Sequence, residues 1–528
     1  MKREIKKLKN KKFDLLVVGA GIYGAWTACD AALRGLRVAL IDKGDFASGT
    51  SSASTKLIHG GLRYLEQMRF DLVKKSLEER KILSQLAPHM VIPMNFFIPH
   101  YKHDKLGPAM LKTGLWMYDL LAGKGQPVSR HNSFTRDEIY AKYSFLKTEG
   151  LKSGSSYGDC QMDDARFTLE VIDRAHMSGA ILANYVSAQE YITENGTIAG
   201  ACVKDGLTSE EFTIKAAKIV NATGPWKNLV ENHHFLKNYM RFSKGVHLCM
   251  PQLPTKDSLL LMTENDDRIF FLVPWYGKTL VGTTDSNYTD DPDKIAVEDS
   301  DIDYLLQETN RYFKDIKWDR SSIISKFAGL RALKNEPGKP PSQVTREWTM
   351  FEPKPNLFIS VGGKFTSARV DAANIVNQVM KSSNMNIPKT PPTATLPLPS
   401  SPGSEFAQWK KSAINENINA GLDKEVASCL IFRYGTKIKQ IRELIEQDAS
   451  LAQRIAPDLP FSKAEIIYCA KNEMVMTLED LIRRRIPITI LSSPNRKTIS
   501  KIAQLAAKIT GWDKSKTESQ INAAMANW

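Results

Sequence analysis

The stretch Phe13-Asp14-Leu15-Leu16-Val17-Val18-Gly19-Ala20-Gly21-Ile22-Tyr23-Gly24 decides the fold of this chain. It joins a short apolar run to three closely spaced glycines. Alanines and a leucine follow at helical spacing over 25–33, and a second apolar run over 38–41 ends in Asp42. This order of apolar strand, glycine turn, helix and second strand predicts a βαβ unit.

The three glycines fit the GxGxxG pattern of dinucleotide-binding turns. In that pattern Gly19 permits the tight turn, Gly21 lets the backbone approach a pyrophosphate, and Gly24 lets the helix pack closely on the strand. The backbone N–H groups at the helix N-terminus bind phosphate, and Asp42 can accept hydrogen bonds from ribose hydroxyls. We therefore predict a dinucleotide site; the alternative is a glycine turn in an unrelated βα unit.

Later strand-like runs end in small residues, where α/β sheets bind ligands. The run over 218–220 leads to Gly224, and the run over 357–361 leads to Gly362 and Gly363, followed by a helix that we predict to begin near Ser367. The first turn alone does not separate NAD from FAD, because both carry an adenosine pyrophosphate. A second glycine-rich strand end suits a cofactor with a second part to bind, such as the ribityl and isoalloxazine part of FAD, so we favour FAD.

The segment over 49–66, GTSSASTKLIHGGLRYLE, concentrates hydroxyl, basic and glycine residues. We interpret Ser51 and Ser52 as neighbours of the cofactor phosphate, with Arg63 and Tyr64 facing substrate. A guanidinium offers a two-pronged fork to phosphate, which makes Arg63 the stronger candidate. The alternative is a polar loop that caps a helix at Ser51 or Ser52.

Composition narrows the classes of protein that remain. A chain of 528 residues with 42% hydrophobic and 25% charged residues is typical of a globular protein of several domains, which excludes fibrous, collagen-like and wholly disordered classes. The six cysteines form no CxxC pair, so we expect no disulfide framework and a reducing cytoplasm. No run approaches the roughly 18 apolar residues that span a bilayer.

The net charge of +14 indicates an anionic partner. No nucleic-acid-binding motif is present, so we expect no nucleic acid and keep an anionic membrane face or a phosphorylated or carboxylated substrate. The His233-His234 pair has no partners at zinc-ligand spacing, and we expect no metal.

Nine short motifs, taken in order, resemble the FAD-dependent, respiratory glycerol-3-phosphate dehydrogenases. They are GAGIYGAW (19–26), SSASTKLIHGGLRYLE (51–66), APHM (87–90), DDAR (163–166), NATGPW (221–226), SKGVH (243–247), GTTD (282–285), GLR (329–331) and VGGKFTSAR (361–369). The similarity runs from about residue 13 to about residue 370, and TLEDLIRRR over 477–485 resembles a segment further on. This chain departs from the family pattern at Ala332, where a proline is usual, and at Phe365-Thr366-Ser367.

The resemblance implies a Rossmann-like α/β FAD-binding domain of the glutathione-reductase/D-amino-acid-oxidase type, an α+β substrate domain with an antiparallel sheet over about 240–335, and a C-terminal helical domain. We expect the FAD-binding domain at 1–76, 153–230 and 336–385, and the substrate domain at 77–152 and 231–335. A segment dense in Pro, Ser and Thr over 386–403 reads as a linker, and the helical domain follows at 404–528.

The resemblance also implies oxidation of sn-glycerol 3-phosphate to dihydroxyacetone phosphate, with hydride passing from C2 to flavin N5 and electrons then passing to a membrane quinone. The cations Arg63, Arg331 and Lys364, with Tyr64, would bind the substrate phosphate. The implied catalytic residues are His247, Arg331 and Arg63, with His247 as the base for the C2 hydroxyl, His59 as the rival base, and Arg331 alternatively stabilising the alkoxide.

The residues expected to bind the cofactor are Gly19, Gly21, Gly24, Asp42, Ser51, Ser52, Gly224, Gly362, Gly363 and Lys364. Without the resemblance, a lone histidine in an apolar run such as His247 is more often a core residue, and Arg331 and Lys364 would be ordinary surface cations. Two other functions stay open: a flavin oxidase of the same substrate or of an amino acid, which passes electrons to oxygen and releases peroxide, and a non-catalytic FAD-binding sensor or scaffold.

A quinone-linked enzyme without a spanning segment should attach peripherally, here to the cytoplasmic face of the inner membrane. The basic N-terminus, MKREIKKLKNKK over 1–12, could attract anionic lipid, or it could be a disordered solubilising tail. A homodimer is also left open.

Overall fold

The fold is described from a computed structural model over residues 1–102, 104, 107–229, 240–264, 268–336, 338, 344 and 347–526. The expected boundary between residues 230 and 231 and the His233-His234 pair lie outside the described residues.

The strands of this part of the chain are numbered in chain order. They are β1 (Lys12–Phe13), β2 (Leu15–Val18), β3 (Val38–Ile41), β4 (Leu57–Ile58), β5 (Ile92–Tyr101), β6 (Asn132–Phe134), β7 (Leu151–Gln161), β8 (Ile181–Ala183), β9 (Val186–Glu194), β10 (Thr197–Asp205), β11 (Glu211–Ala216), β12 (Ile219–Asn221), β13 (Met240–Pro251), β14 (Ser258–Met262), β15 (Ile269–Trp275), β16 (Lys278–Gly282), β17 (Ser286–Tyr288), β18 (Ser325–Lys334), β19 (Thr349–Lys354) and β20 (Leu357–Val361).

The α-helices are numbered in the same way. They are α1 (Ile5–Asn10), α2 (Ile22–Leu33), α3 (Phe70–Leu86), α4 (Pro108–Ala122), α5 (Arg136–Lys142), α6 (Asp164–Met177), α7 (Asp299–Asn310), α8 (Ala368–Lys381), α9 (Phe406–Asn419), α10 (Lys424–Tyr434), α11 (Ile438–Gln447), α12 (Lys463–Asn472), α13 (Ile488–Leu491), α14 (Arg496–Thr510) and α15 (Lys514–Ala526).

A six-stranded sheet forms the centre of the first domain. Its order is β19-β20-β12-β2-β3-β8, and every neighbouring pair is parallel except β19 with β20. Helices α2, α6 and α8 pack on one face, and the sheet β1-β11-β10-β9 covers the other. Because both faces are covered, β2 is apolar throughout its length. These layers confirm the predicted βαβ unit and the FAD-binding fold class.

A ten-stranded sheet forms the second domain. Its main path is β17-β13-β16-β15-β14-β5-β7-β4, with β18 paired to β13 and β6 paired to β7. Strands β13 to β18 supply the largely antiparallel part that was expected over about 240–335. The α+β character of the expected second domain is therefore confirmed.

Strand β7 does not follow the expected domain boundary at 152/153. It pairs with β5 over its whole length, from Leu151 opposite Tyr101 to Gln161 opposite Ile92. A strand cannot be divided between domains without breaking these hydrogen bonds, so we propose that the boundary follows Gln161.

The segment 386–403 contains only short 3-10 turns, as its proline content predicts, but it packs closely on the first domain. The Thr393 hydroxyl donates to Asp30 over 2.6 Å, and the Ser400 N–H donates to Glu170 over 2.6 Å. The Ser400 hydroxyl lies 2.8 Å from Nε2 of His89. The expected linker is therefore a fixed connection.

The basic N-terminus is also packed against the rest of the chain. Leu8 of α1 is fully buried, and Arg3 forms an ion pair with Asp205 at 2.6 Å. Lys9 forms an ion pair with Glu210. The expectation of a disordered tail is therefore wrong, and some of the cations expected to attract lipid already have acidic partners. Within the described residues, no helix combines the length and the apolar composition needed to cross a membrane.

Helices α9 to α15 form the C-terminal region, and buried ion pairs join it to the first domain. Arg166 of α6 makes two hydrogen bonds to Glu473, of 2.7 and 2.6 Å. Asp45, just after β3, accepts from both Arg484 and Arg485, which lie in a π-helical turn over Asp480–Arg485. The TLEDLIRRR segment thus holds the loop that follows the second strand of the βαβ unit.

We expect Asp45→Asn to lower the free energy of unfolding by about 3 kcal/mol, because Arg485 would stay buried without its carboxylate and Arg484 would lose one of its acidic partners. Burial raises the pKa of Asp45, but the charges of Arg485 and Arg484 outweigh it and lower the pKa below its usual value. The stabilisation is therefore present above about pH 4 and is lost as pH falls through the lowered pKa. Urea unfolding at pH 7 measures the difference.

The matched control is Asp14→Asn, because Asp14 pairs with Arg37 at the surface, where the Arg37 side chain is 64% exposed. Such surface pairs contribute about 0 to 1 kcal/mol. Equal urea midpoints for the two variants would contradict a stabilising role for the Asp45 pairs.

Candidate functional site

A cavity of about 830 Å³ opens at the carboxyl ends of β2, β3, β12 and β20, beside the ten-stranded sheet. Ligands of open α/β sheets bind at this edge. The sequence-predicted residues that line the cavity are Gly19, Gly21, Asp42, Ser51, His59, Arg63, Tyr64, Gly224, His247, Arg331, Gly362, Gly363 and Lys364. Two predicted cofactor-binding residues, Gly24 and Ser52, are not among the lining residues.

The glycines of the first turn are required by close backbone contacts. Gly19 has φ of +99°, and a Cβ there would lie 2.7 Å from the carbonyl oxygen of Ala222. A Cβ on Gly24 would lie 1.8 Å from the carbonyl oxygen of Gly19. Gly24 therefore allows α2 to pack against the turn, as the motif implies, although Gly24 itself does not line the cavity.

Asp42 and Ser51 are fixed around this turn by backbone N–H groups. Asp42 accepts from Ala20 over 2.6 Å and from Gly44 over 2.9 Å, and burial raises the pKa of its carboxyl to about 6. The Ile22 N–H donates to Ser51 Oγ over 2.9 Å, so Ser51 caps α2 from another loop. Ser52 instead donates to the carbonyl oxygen of Gly49. The hydroxyl run therefore both caps a helix and lines the cavity.

We expect Ser51→Ala to raise the dissociation constant of the dinucleotide about fivefold, because loss of a cap costs about 1 kcal/mol and loosens the turn that meets the phosphates. Titration of the apoprotein with FAD measures this constant. Ser52→Ala is the control and should change it by less than twofold, because Ser52 lies outside the lining. Equal effects of the two variants would contradict this assignment.

The second glycine turn is held by Tyr23, which sequence reasoning missed. Tyr23 Oη accepts from the Lys364 N–H over 3.1 Å and donates to the buried Asp371 over 2.8 Å. A Cβ on Gly363 would lie 1.7 Å from Tyr23 Oη, so only glycine allows this approach. Tyr23 occupies a variable position of GxGxxG and its partners are more than 340 residues away, so no local pattern marks it.

The three predicted cations, Arg63, Arg331 and Lys364, line the same cavity, which Lys43 and Arg268 also line. Arg63 lies on a 3-10 turn over Leu62–Leu65, and the Lys364 ammonium lies 3.6 Å from the ring centroid of Tyr64. Arg331 lies on β18 and forms an ion pair with Asp285 at 3.2 Å. Arg331 also donates to Ser243 and Thr283, over 3.1 and 2.9 Å.

The three predicted cations therefore reach the cavity from three separate segments. Ala332, where the family usually has proline, pairs with Phe242 in regular register, so the strand that carries Arg331 is undisturbed. Asp285 offsets part of the charge of Arg331, and this acidic partner was not predicted.

His247 lies buried on β13 at the cavity wall. Its Nε2 is 3.0 Å from Thr55 Oγ1, and its ring stacks on Phe327 with centroids 5.0 Å apart. Among the described residues, Nδ1 has no hydrogen-bond partner. Burial, with the charges of Arg331 and Lys56, lowers the pKa of His247 to about 3, so the ring is neutral at pH 7. A neutral imidazole can accept a proton.

His59, the rival base, also lines the cavity, and its backbone N–H donates to Thr366 over 3.1 Å. Thr55 was predicted only as one member of the hydroxyl run, and its contact with His247 joins segments 192 positions apart. Within the part of the chain that the structure describes, no group of three or more His, Cys, Asp or Glu side chains could hold a metal ion.

Comparison with known proteins accounts for most of the chain. Residues 14–368 match the family described as FAD dependent oxidoreductase, and residues 392–517 match the family described as the C-terminal domain of alpha-glycerophosphate oxidase. A glycerol-3-phosphate dehydrogenase of Synechocystis sp. is 33% identical over 539 residues, covering 98% of this chain and 97% of the relative. An aerobic glycerol-3-phosphate dehydrogenase of Staphylococcus aureus is 36% identical over 492 residues, covering 91% and 87%.

A solved structure is similar over nearly the same length. The glycerol-3-phosphate dehydrogenase of Bacillus halodurans, complexed with FAD, matches with a TM-score of 0.80 and 28% identity, covering 99% of this chain and 95% of that one. The similarity therefore includes the first two domains and the C-terminal helices together.

Proposed function

Because this chain belongs to the FAD-dependent glycerol-3-phosphate dehydrogenases, we propose that it oxidises sn-glycerol 3-phosphate to dihydroxyacetone phosphate and passes the electrons to a membrane quinone. Its cofactor is FAD. The observation that carries the proposal is that the three predicted cations and the neutral, buried His247 line the same cavity as the two glycine turns.

The residues present fit FAD. The first turn presents the backbone N–H groups at the N-terminus of α2, which suit a pyrophosphate. Asp42 lies beside this turn, where its carboxylate suits an adenosine ribose. The second turn, with Gly362, Gly363 and Lys364, suits the flavin half. Bound flavin would supply the hydride acceptor at N5.

The substrate carries a phosphate dianion on a small polyol. Arg63, Arg331 and Lys364 supply the opposing charge, and binding of the phosphate from three separate segments would orient the C2 carbon for hydride loss. Tyr64, beneath the Lys364 ammonium, holds that cation through its ring.

Loss of hydride from C2 requires removal of the proton from the C2 hydroxyl. We propose that His247 accepts this proton as the general base, with its ring oriented by Thr55 and Phe327. A bound phosphate dianion would offset the positive charges that help to lower the pKa of His247, so the base strengthens when substrate is present.

The electron acceptor distinguishes the two candidate functions, a dehydrogenase and an oxidase. The names of the relatives favour a dehydrogenase, and we propose peripheral attachment to the cytoplasmic face of the inner membrane. The match of residues 392–517 to a domain named after an oxidase keeps oxygen as the second candidate.

Anaerobic addition of sn-glycerol 3-phosphate to the yellow holoenzyme tests the reaction. We expect rapid bleaching of the flavin absorbance, and reoxidation by a quinone analogue at least tenfold faster than by oxygen. Reoxidation by oxygen with peroxide release would make the protein an oxidase. A flavin that stays oxidised with this substrate would overturn the substrate assignment.

A further inference from the structure

Helix α4 (Pro108–Ala122) carries large apolar side chains on its outward face as well as on its inward face. Its sequence PAMLKTGLWMYDLLA contains only two charged residues, Lys112 and Asp119. The inward face, with Leu111, Leu115 and Tyr118, is buried in the main hydrophobic cluster. A surface helix normally carries polar side chains on the face opposite its buried one.

The outward face of α4 nevertheless faces solvent. Met110, Trp116 and Leu120 are 59%, 58% and 64% exposed. At 100° per residue, Trp116 and Leu120 lie on the side opposite Leu111 and Tyr118. Met68, 70% exposed, lies three residues beyond the turn over Leu62–Leu65, against which α4 packs. Four of the most exposed large apolar side chains of the described residues therefore lie on or near one helix.

Exposed cations flank this face. Lys112 lies within α4, and Lys102 and Lys124 lie before and after it, all three exposed. The acidic residue of the helix, Asp119, is partly buried and pairs with His131 at 2.7 Å. In a chain of net charge +14, such a face repels a second copy and attracts an anionic surface. Trp, Leu and Lys together are typical of helices that lie in a membrane interface.

The position of α4 connects this face to the cavity. The Gly60 N–H donates to Tyr118 Oη over 3.0 Å. The neighbouring turn over Leu62–Leu65 carries Arg63 and Tyr64, which line the cavity. One side of this turn therefore supports α4, and the other side faces the candidate reaction site.

We propose that the outward face of α4, formed by Met110, Trp116 and Leu120 with Lys112, docks on the surface of an anionic phospholipid bilayer. The docking places the cavity beside the bilayer, where a lipid-soluble acceptor is found. The link to the acceptor rests on the proposed function, whereas the docking itself requires no turnover.

The experiment is co-sedimentation of the holoenzyme with vesicles of phosphatidylcholine alone, or of phosphatidylcholine with 30% phosphatidylglycerol. We compare wild type with a double variant, Trp116→Glu with Leu120→Glu. The matched control is Met177→Glu at the end of α6, because Met177 is as exposed as Leu120, at 64%. Flavin absorbance and circular dichroism establish that each variant is folded.

We expect wild type and Met177→Glu to bind the anionic vesicles equally and the double variant to bind at least about tenfold more weakly, because two apolar anchors are replaced by charges that the anionic surface repels. Equal binding of the double variant, no binding by wild type, or equally strong binding to phosphatidylcholine alone would overturn the proposal. A dimer in gel filtration that the double variant loses would assign the face to a second copy instead.

Failure of the docking proposal and failure of the proposed function give different results. In the double variant, bleaching by sn-glycerol 3-phosphate should stay unchanged in free solution, while reduction of quinone held in vesicles should fall with binding. Vesicle binding without bleaching would support the docking proposal and contradict only the substrate assignment.

Discussion

Replacement of Arg331 by Met is expected to lower kcat/KM for sn-glycerol 3-phosphate about 1000-fold, or about 4 kcal/mol, because a charge-assisted contact between a partly buried guanidinium and the phosphate is lost. Arg331 reaches the cavity from β18 and its side chain is 19% exposed. Anaerobic stopped-flow reduction of the flavin measures the effect without involving the acceptor. The Arg331→Lys variant should be intermediate, since it keeps the charge but not the fork.

Two controls separate binding of substrate from stability. Arg320→Met removes an exposed arginine of the same domain that pairs with Asp299 and Asp303, and it should leave kcat/KM within twofold. The double variant Arg331→Met with Asp285→Asn removes the buried carboxylate that the single variant would strand. Recovery of activity in the double variant, or a loss of less than tenfold in Arg331→Met, would contradict a phosphate-binding role.

Replacement of His247 by Asn is expected to slow flavin reduction about 100- to 10000-fold, the usual contribution of a general base. His59→Asn is the matched comparison, because His59 lines the same cavity, and it should cost less than tenfold. A larger loss of rate in His59→Asn than in His247→Asn would identify His59 as the general base instead.

The ionisation of His247 gives a separate test. Its pKa of about 3 lies below the ordinary value of 6.5, because of burial and two nearby cations. The ring should therefore stay neutral in the free enzyme from pH 8 down to pH 5. Imidazole NMR resonances, assigned by their absence in His247→Asn, should not shift over this range. A midpoint near 6.5 would show an exposed histidine and contradict the buried arrangement.

Local pattern was sufficient to predict several elements of the fold. The apolar runs over 13–18 and 38–41 contain β2 and β3, and the helix predicted near Ser367 begins at Ala368. These elements follow from side-chain periodicity and turn chemistry, which act over a few residues. The roles of Gly19 and Gly24 were predictable for the same reason, since the spacing of a glycine turn fixes its contacts.

Contacts between distant segments were not predictable in this way. Residue type alone does not show that Ser51 lines the cavity while Ser52 turns away from it. Nor does it show that Tyr23 holds the Gly363 turn, or that Asp285 pairs with Arg331. Each of these contacts depends on how whole strands and helices pack, because the partners lie on different elements.

The sequence by itself determined the βαβ unit, the two glycine turns, the helical C-terminal region and, through its motifs, the family and its cofactor. Only the tertiary structure decided that β7 belongs to the ten-stranded sheet, that the N-terminus and the proline-rich segment are packed, and that Thr55 meets His247. The physical reason is the distance along the chain over which each kind of interaction acts. Turn and helix signals are properties of neighbouring residues, whereas burial, ion pairing and the lowered pKa of His247 arise from atoms that the folded chain brings together.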